Sequence, residues 1–182
     1  MDLIAQIKRE LKAQSIPEKA EFFPKFFQAF PGGYGEGDCF LGVMVPAQRK
    51  VAQKYYQKID LTEVEKLLQQ PIHEYRLTAL FILVNKFQKA KTLQEREEIV
   101  QLYWRNLEWV NNWDLVDASA DKILGAYLFD KDKDPLYQLA RSGHLWKQRV
   151  AIISTFYFIK QNQFTHTLEM AKILLHHEHD LI

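Results

Sequence analysis

The sequence contains very little cysteine: Cys39 is the only one among 182 residues. One thiol can form neither an intramolecular disulfide framework nor a cysteine zinc site, so the composition fits a reducing compartment. No apolar run reaches the roughly 18 residues that predict a membrane span, and the charged, amphipathic N-terminal stretch does not have the apolar core of a signal peptide. We therefore predict a soluble, cytoplasmic protein.

Excess charge of either sign is also missing. The chain has 24 basic and 23 acidic residues, which give a net charge of +1. The molecule as a whole is therefore not a polyanion binder, and any nucleic-acid surface must arise from charge gathered on one face. The P-loop pattern GxxxxGK[ST] does not occur, and we expect no cofactor.

Glycine is scarce, and five of the seven glycines lie in PGGYGEGDCFLG, residues 31–42, which predicts an irregular loop. Elsewhere apolar residues recur at intervals of three and four, as in an amphipathic helix, and no segment alternates with a period of two. The pattern predicts an all-α protein of about ten helices. After a first helix near the N-terminus, they cover roughly 18–30, 46–57, 61–70, 73–90, 93–110, 113–128, 134–142, 145–161 and 164–177.

A weak internal repeat favours a solenoid over a bundle. HEYRLTALFILV and LWKQRVAIISTF share a polar opening with an arginine, and Arg76 and Arg149 are 73 residues apart with Trp113 midway. Paired helices with a period of about 36 to 40 residues are typical of HEAT-like α-solenoids, in which equivalent positions line one concave groove. We therefore expect a single HEAT-like α-solenoid domain over residues 1–182, with Arg76, Trp113, Asp117 and Arg149 facing its groove.

The stretch NNWDLVDASADKILG, residues 111–125, has three acids at helical spacing. Asp114 belongs to the first turn, where a carboxylate favours the helix dipole, and Asp121 is expected on the surface. Asp117 lies four residues after Trp113 and shares its helix face. A core tryptophan beside a solvated acid also explains this pair, and is favoured by the spacing alone, and Asp117 and Arg149 could form a structural ion pair. The alternative is a phosphate-binding arginine beside a reacting centre.

Four other patterns give weaker signals. The glycine-rich loop could present Tyr34 and Phe40 to a ligand or could simply connect two helices. The aromatic run FFPKFFQAF, residues 22–30, is interpreted as packing, and the histidines of HHEHD, residues 176–180, lack the spacing of a metal site. Lysines such as Lys147 are scattered, which is typical of a solvated surface.

This chain resembles the AlkD-like DNA alkylation repair proteins, in which four of its segments occur in the same order. These segments are GGYGEGDCFLGVMVPAQRKVA, HEYRLTALFILV, NWDLVD and WKQRVAIIS. The resemblance implies a HEAT-like DNA glycosylase that removes cationic N3- or N7-alkylated purines from duplex DNA. It assigns the family's catalytic aspartate to Asp117 and its active-site tryptophan and arginine to Trp113 and Arg149. Arg76, Tyr34 and Lys147 are expected to add DNA contacts.

The resemblance also implies a monomer that needs no metal or cofactor. The chain is expected to lack the last helical element of the family, which carries a further active-site aromatic residue. Two other functions stay open at this point: a non-catalytic HEAT-like module that binds DNA or protein, and a scaffold with no nucleic-acid role.

Overall fold

A computed structural model describes residues 2–182. Within this range the chain is helical and contains no strand, apart from an isolated bridge between Cys39 and Ile72. The prediction of an all-α protein is confirmed. The helices are α1 (Leu3–Lys12), α2 (Pro17–Phe26), α3 (Val45–Tyr55), α4 (Leu61–Leu68), α5 (His73–Lys89), α6 (Leu93–Arg105), α7 (Trp113–Ala120), α8 (Ala126–Leu128), α9 (Asp134–Ala140), α10 (Leu145–Lys160) and α11 (Thr165–Leu174).

Local sequence signals start several of these helices. Pro17, Pro46 and Pro135 each occupy one of the first two helical positions, where the missing N–H has no intrahelical partner to lose. Asp60 and Thr92 each form a capping box with a glutamate three residues later, which satisfies two free N–H groups at the starts of α4 and α6. These signals explain why the predicted starts agree with the structure to within a residue or two.

The chain divides into two compact units, and the boundary falls between Asn112 and Trp113. In the first unit α5 is the central helix and packs against α3, α4 and α6. Its residues from His73 to Val84 are all buried, and Leu80, Ile82 and Leu83 are fully enclosed. A helix that is buried around its whole circumference is expected at the centre of such a unit.

In the second unit α10 is central and packs against α7, α9 and α11. A π-helical turn, Asp121–Gly125, joins α7 directly to α8, so these segments form one continuous rod. Gly125 lies against α10, and a Cβ placed there would come within 2.2 Å of the carbonyl oxygen of Ser154. Glycine therefore permits a close backbone contact between this rod and α10.

Two predicted helix ends were wrong by four residues or more. The helix starting at residue 93 ends at Arg105 and is followed by a separate 3₁₀ turn, Leu107–Trp109, and α2 ends at Phe26 rather than near residue 30. The aromatic run was interpreted as packing, yet only Phe27 is buried, while Phe22, Phe26 and Phe30 are about half exposed. No helix within residues 2–182 is both long enough and apolar enough to cross a membrane.

Candidate functional site

Asp117 and Arg149 form the central pair of the candidate site in the second unit. The Arg149 Nε donates to Asp117 Oδ1 at 2.9 Å, and its Nη2 donates to Oδ2 at 2.7 Å. This is the bidentate geometry in which a guanidinium fixes the orientation of a carboxylate as well as its charge. The Asp117 side chain is 37% exposed and that of Arg149 15%, so the carboxylate lies at the surface while the arginine lies mostly beneath it.

Helix α7 places Trp113 beside this pair. Trp113 is its first residue and Asp117 lies one turn later, so the indole and the carboxylate occupy neighbouring positions on one helix face. Both side chains are partly exposed, whereas the apolar Leu115 and Val116 of the same helix are fully buried. The exposed face of α7 therefore carries an aromatic surface next to an anion.

Arg149 has a second partner, because its Nη1 donates to the carbonyl oxygen of Leu181. The segment that follows α11 also contacts α10 through His177, whose Nε2 lies 3.0 Å from Gln148 Oε1. A guanidinium has five N–H groups, so these three bonds leave two of them for another acceptor. Sequence reasoning missed the Leu181 contact, because a backbone carbonyl has no sequence signal.

Asp121 was predicted to lie on the surface, and this prediction was wrong. Its side chain is 6% exposed and accepts from the Nζ of Lys122 at 2.8 Å and of Lys160 at 2.7 Å. Burial alone raises the pKa of Asp121, but the bonds from the two lysines outweigh this effect and hold the pKa below its usual value. Asp121 thus has a structural role, linking the π turn to the end of α10.

Arg76 was predicted to contact DNA, but the structure places it inside the first unit. Its side chain is 3% exposed and its Nη2 donates to Asp38 Oδ1 at 2.5 Å. Asp38 also contacts His73 Nδ1 at 2.9 Å and accepts from Asn112 Nδ2 at 3.3 Å. Burial raises the pKa of Asp38, while His73 and Arg76 together bring it below its usual value. Arg76 neutralises a buried carboxylate and has no exposed surface to offer to DNA.

The glycine-rich loop contains an anion-binding arrangement that is already filled. The backbone N–H groups of Leu41, Gly42 and Val43 all donate to the carboxylate of Glu74, at 2.8 to 3.1 Å. Successive amides of this kind bind anions, and here α5 supplies the anion. Tyr34 is half-buried in the same loop, and its expected contact with DNA stays a prediction.

No further chemistry is evident at the remaining candidate positions. Within residues 2–182, no group of three His, Cys, Asp or Glu side chains is arranged to hold a metal ion. Lys147 lies in α10 two residues before Arg149 and is half-buried, so its DNA contact also stays a prediction. The site consists of a fixed, partly exposed carboxylate, an adjacent indole and a guanidinium with two uncommitted N–H groups, and it can stabilise positive charge that develops nearby.

In a comparison with known protein families, the model described as DNA alkylation repair enzyme matches residues 7–182. A comparison with curated proteins gives no match.

Proposed function

This chain belongs to the DNA alkylation repair enzyme family, and from that premise we propose that it is a DNA glycosylase. The proposed substrates are purines alkylated at N3 or N7 in duplex DNA, and the reaction is hydrolysis of their N-glycosidic bond. We further propose that the helices form a HEAT-like solenoid whose concave groove receives the DNA.

The observation that carries this proposal is that the Asp117 carboxylate is both accessible and held in a fixed orientation. The Asp117 side chain is more than one-third exposed, so its carboxylate can be reached from solvent although Arg149 holds it in place. Its bidentate contact with Arg149 leaves lone pairs on both oxygens, because each carboxylate oxygen can accept two hydrogen bonds. Asp117 is therefore held rigidly and can still accept a hydrogen bond from a water molecule.

The chemistry needs one carboxylate and no general acid. Alkylation at N3 or N7 makes the purine cationic, so the base departs as a neutral molecule without being protonated. As the bond from C1′ to the base nitrogen lengthens, positive charge moves to the sugar as an oxocarbenium ion. Asp117 stabilises that charge, orients a water molecule towards C1′ and takes up the proton that the water loses when it bonds to C1′.

The neighbouring residues support this step. Trp113 packs against the sugar, and its ring face attracts the positive charge. Arg149 keeps the carboxylate oriented, and its two remaining N–H groups bind the phosphate that flanks the lesion. Tyr34 and Lys147 contribute further contacts to the DNA, which make binding sensitive to salt.

The test is release of 7-methylguanine and 3-methyladenine from alkylated duplex DNA under single-turnover conditions. Asp117→Asn keeps the shape of the side chain but removes its charge, and we expect excision to slow by about 100-fold or more. Asp130→Asn is the matched control, because the Asp130 side chain is 77% exposed in the same unit and its loss leaves excision unchanged. Equal excision by wild type and Asp117→Asn would refute the mechanism.

The second candidate is a non-catalytic module that binds DNA. It is favoured by the fact that Arg149 contacts both oxygens of Asp117, as in a purely structural ion pair. In that case the wild type releases no base, yet it binds duplex DNA in a salt-dependent manner that Arg149→Ala abolishes. Absence of binding even at low salt would instead identify a scaffold with no nucleic-acid role.

A further inference from the structure

A cleft of about 450 Å³ opens between α3 and α5 in the first unit. It is lined by the polar side chains of Arg49, Lys50, Gln53 and Asn85, and by the rings and methyl groups of Phe81 and Val84. Two cations and two amides thus converge on one cavity, and none of the residues that line it is an acid. This set of donors is suited to an anion.

The absence of acid extends to the surrounding helices. Helix α3, VPAQRKVAQKY, has three basic residues and no acidic one. The only acid of α5 is Glu74, and its carboxylate is already bound by the amides of the glycine-rich loop. The nearly neutral chain therefore gathers positive charge along this pair of helices, which is the segregation that an electrostatic binding surface requires.

Arg49 is held in place without being neutralised. Its guanidinium carbon lies 4.1 Å from the centre of the Phe81 ring, and this ring is buried. Stacking of this kind orients the plane of a guanidinium and leaves its N–H edge open. Within residues 2–182 neither Arg49 nor Lys50 has an ion pair, whereas Lys54 of the same helix is paired with Glu10.

We propose that this cleft binds a phosphodiester group of the DNA backbone, with Arg49 and Lys50 as the charged ligands and Gln53 and Asn85 as additional donors. The proposal rests on the proposed DNA substrate and adds a contact in the first unit to those already proposed in the second. Phosphate contacts of this type position a protein on the duplex and carry no sequence information. The charge pattern has a sequence signal, which is the run of α3 without acidic residues.

The experiment measures binding of an unmodified duplex by fluorescence anisotropy over a range of salt concentrations. The double variant Arg49→Gln, Lys50→Gln removes both charged ligands of that one phosphodiester group. We expect the slope of log K against log salt to become shallower by about 0.9, and affinity at low salt to fall by about 10-fold or more. Arg96→Gln is the matched control. Arg96 also lies over an aromatic ring, at 5.5 Å from the centre of Phe87, but it lies outside the cleft. The salt slope of Arg96→Gln should stay close to that of the wild type.

A double variant that matches Arg96→Gln in slope and affinity would overturn the proposal. A second arm titrates wild type with inorganic phosphate in a calorimeter. Heat that disappears in the double variant while duplex binding is unchanged would assign the cleft to free phosphate, and would likewise overturn the DNA assignment. Because Arg49 and Lys50 are exposed, thermal melting should show both variants folded.

Failure of this proposal can be told apart from failure of the proposed function. In single-turnover excision the double variant should need about 10-fold more protein than wild type to reach half of its maximal rate, because binding is weakened. If the wild type binds DNA through Arg49 and Lys50 but releases no base, the cleft assignment stands and the proposed glycosylase activity is refuted. If excision is normal and the double variant binds DNA as well as wild type, the glycosylase activity stands and the cleft assignment is refuted.

Discussion

Replacement of Gly125 by alanine tests whether one close helix contact sets the geometry of the candidate site. The Cβ of alanine would lie 2.2 Å from the carbonyl oxygen of Ser154 and 2.9 Å from the Cβ of Tyr157. A comfortable carbon–oxygen contact is about 3.3 Å, so the backbones must separate by about 1 Å. Because Gly125 has an ordinary helical φ of −58°, its flexibility is not required there, and only its small size is.

Two opposing effects determine the magnitude. Overpacking against a backbone that cannot rotate away costs about 3 kcal/mol. Alanine offsets about 1 kcal/mol of this, because it is a better helix former than glycine. We therefore expect the free energy of unfolding to fall by about 2 kcal/mol. Since α10 also carries Arg149, the same displacement should disturb its bonds to Asp117 and slow excision by about 10-fold or more.

Urea denaturation gives the stability, and single-turnover release of 7-methylguanine gives the excision rate. Gly143→Ala is a suitable control, since a Cβ there meets no atom within 4 Å and only the positive φ of 70° opposes it. That strain costs about 1 kcal/mol, and excision should be unaffected. A Gly125→Ala protein as stable and as active as wild type would show that the contact does not constrain the site.

Two further predictions concern the first unit. Glu74→Gln replaces one carboxylate oxygen by an N–H₂ group that faces the N–H donors of the loop, so the free energy of unfolding measured by urea titration should fall by about 2 kcal/mol. Glu98→Gln, at an exposed position, should change this free energy little. The bonds from Arg105 lower the pKa of Glu65 to about 2 from 4.5. The ion pair should therefore stabilise the fold fully above pH 4.5 and lose its effect as the pH falls towards 2. Because Arg105 is 55% exposed, Arg105→Gln should cost about 1 kcal/mol at pH 7 and progressively less in acid; a cost independent of pH would contradict this assignment.

The helices could be predicted because their signals are local. Prolines near helix starts and capping boxes act over three or four residues, and apolar spacing reports which face is buried. The errors fell where local signals compete, as after Phe26, where aromatic residues continue the helical spacing although the helix has ended. The helix at 93–110 was predicted too long because a 3₁₀ turn keeps similar spacing.

The site was less predictable because its partners are distant in the sequence. The sharing of one face by Trp113 and Asp117 follows from a four-residue spacing, and the pairing of Asp117 with Arg149 was one of two open alternatives. The burial of Asp121 depends on Lys160, 39 residues away, and that of Arg76 on Asp38, 38 residues away. A single sequence shows no covariation that could reveal such pairs, so both residues were placed at the surface or in the groove.

The contact between Glu74 and the loop amides should prevent dissolved anions from binding to these amides. Because α5 delivers this carboxylate to Leu41, Gly42 and Val43 intramolecularly, its effective concentration there far exceeds that of any dissolved phosphate. A nucleotide could enter only by displacing a buried, tethered anion and leaving it without partners. The loop amides are therefore an anion site that the protein's own side chain occupies, and free nucleotides should not compete for it.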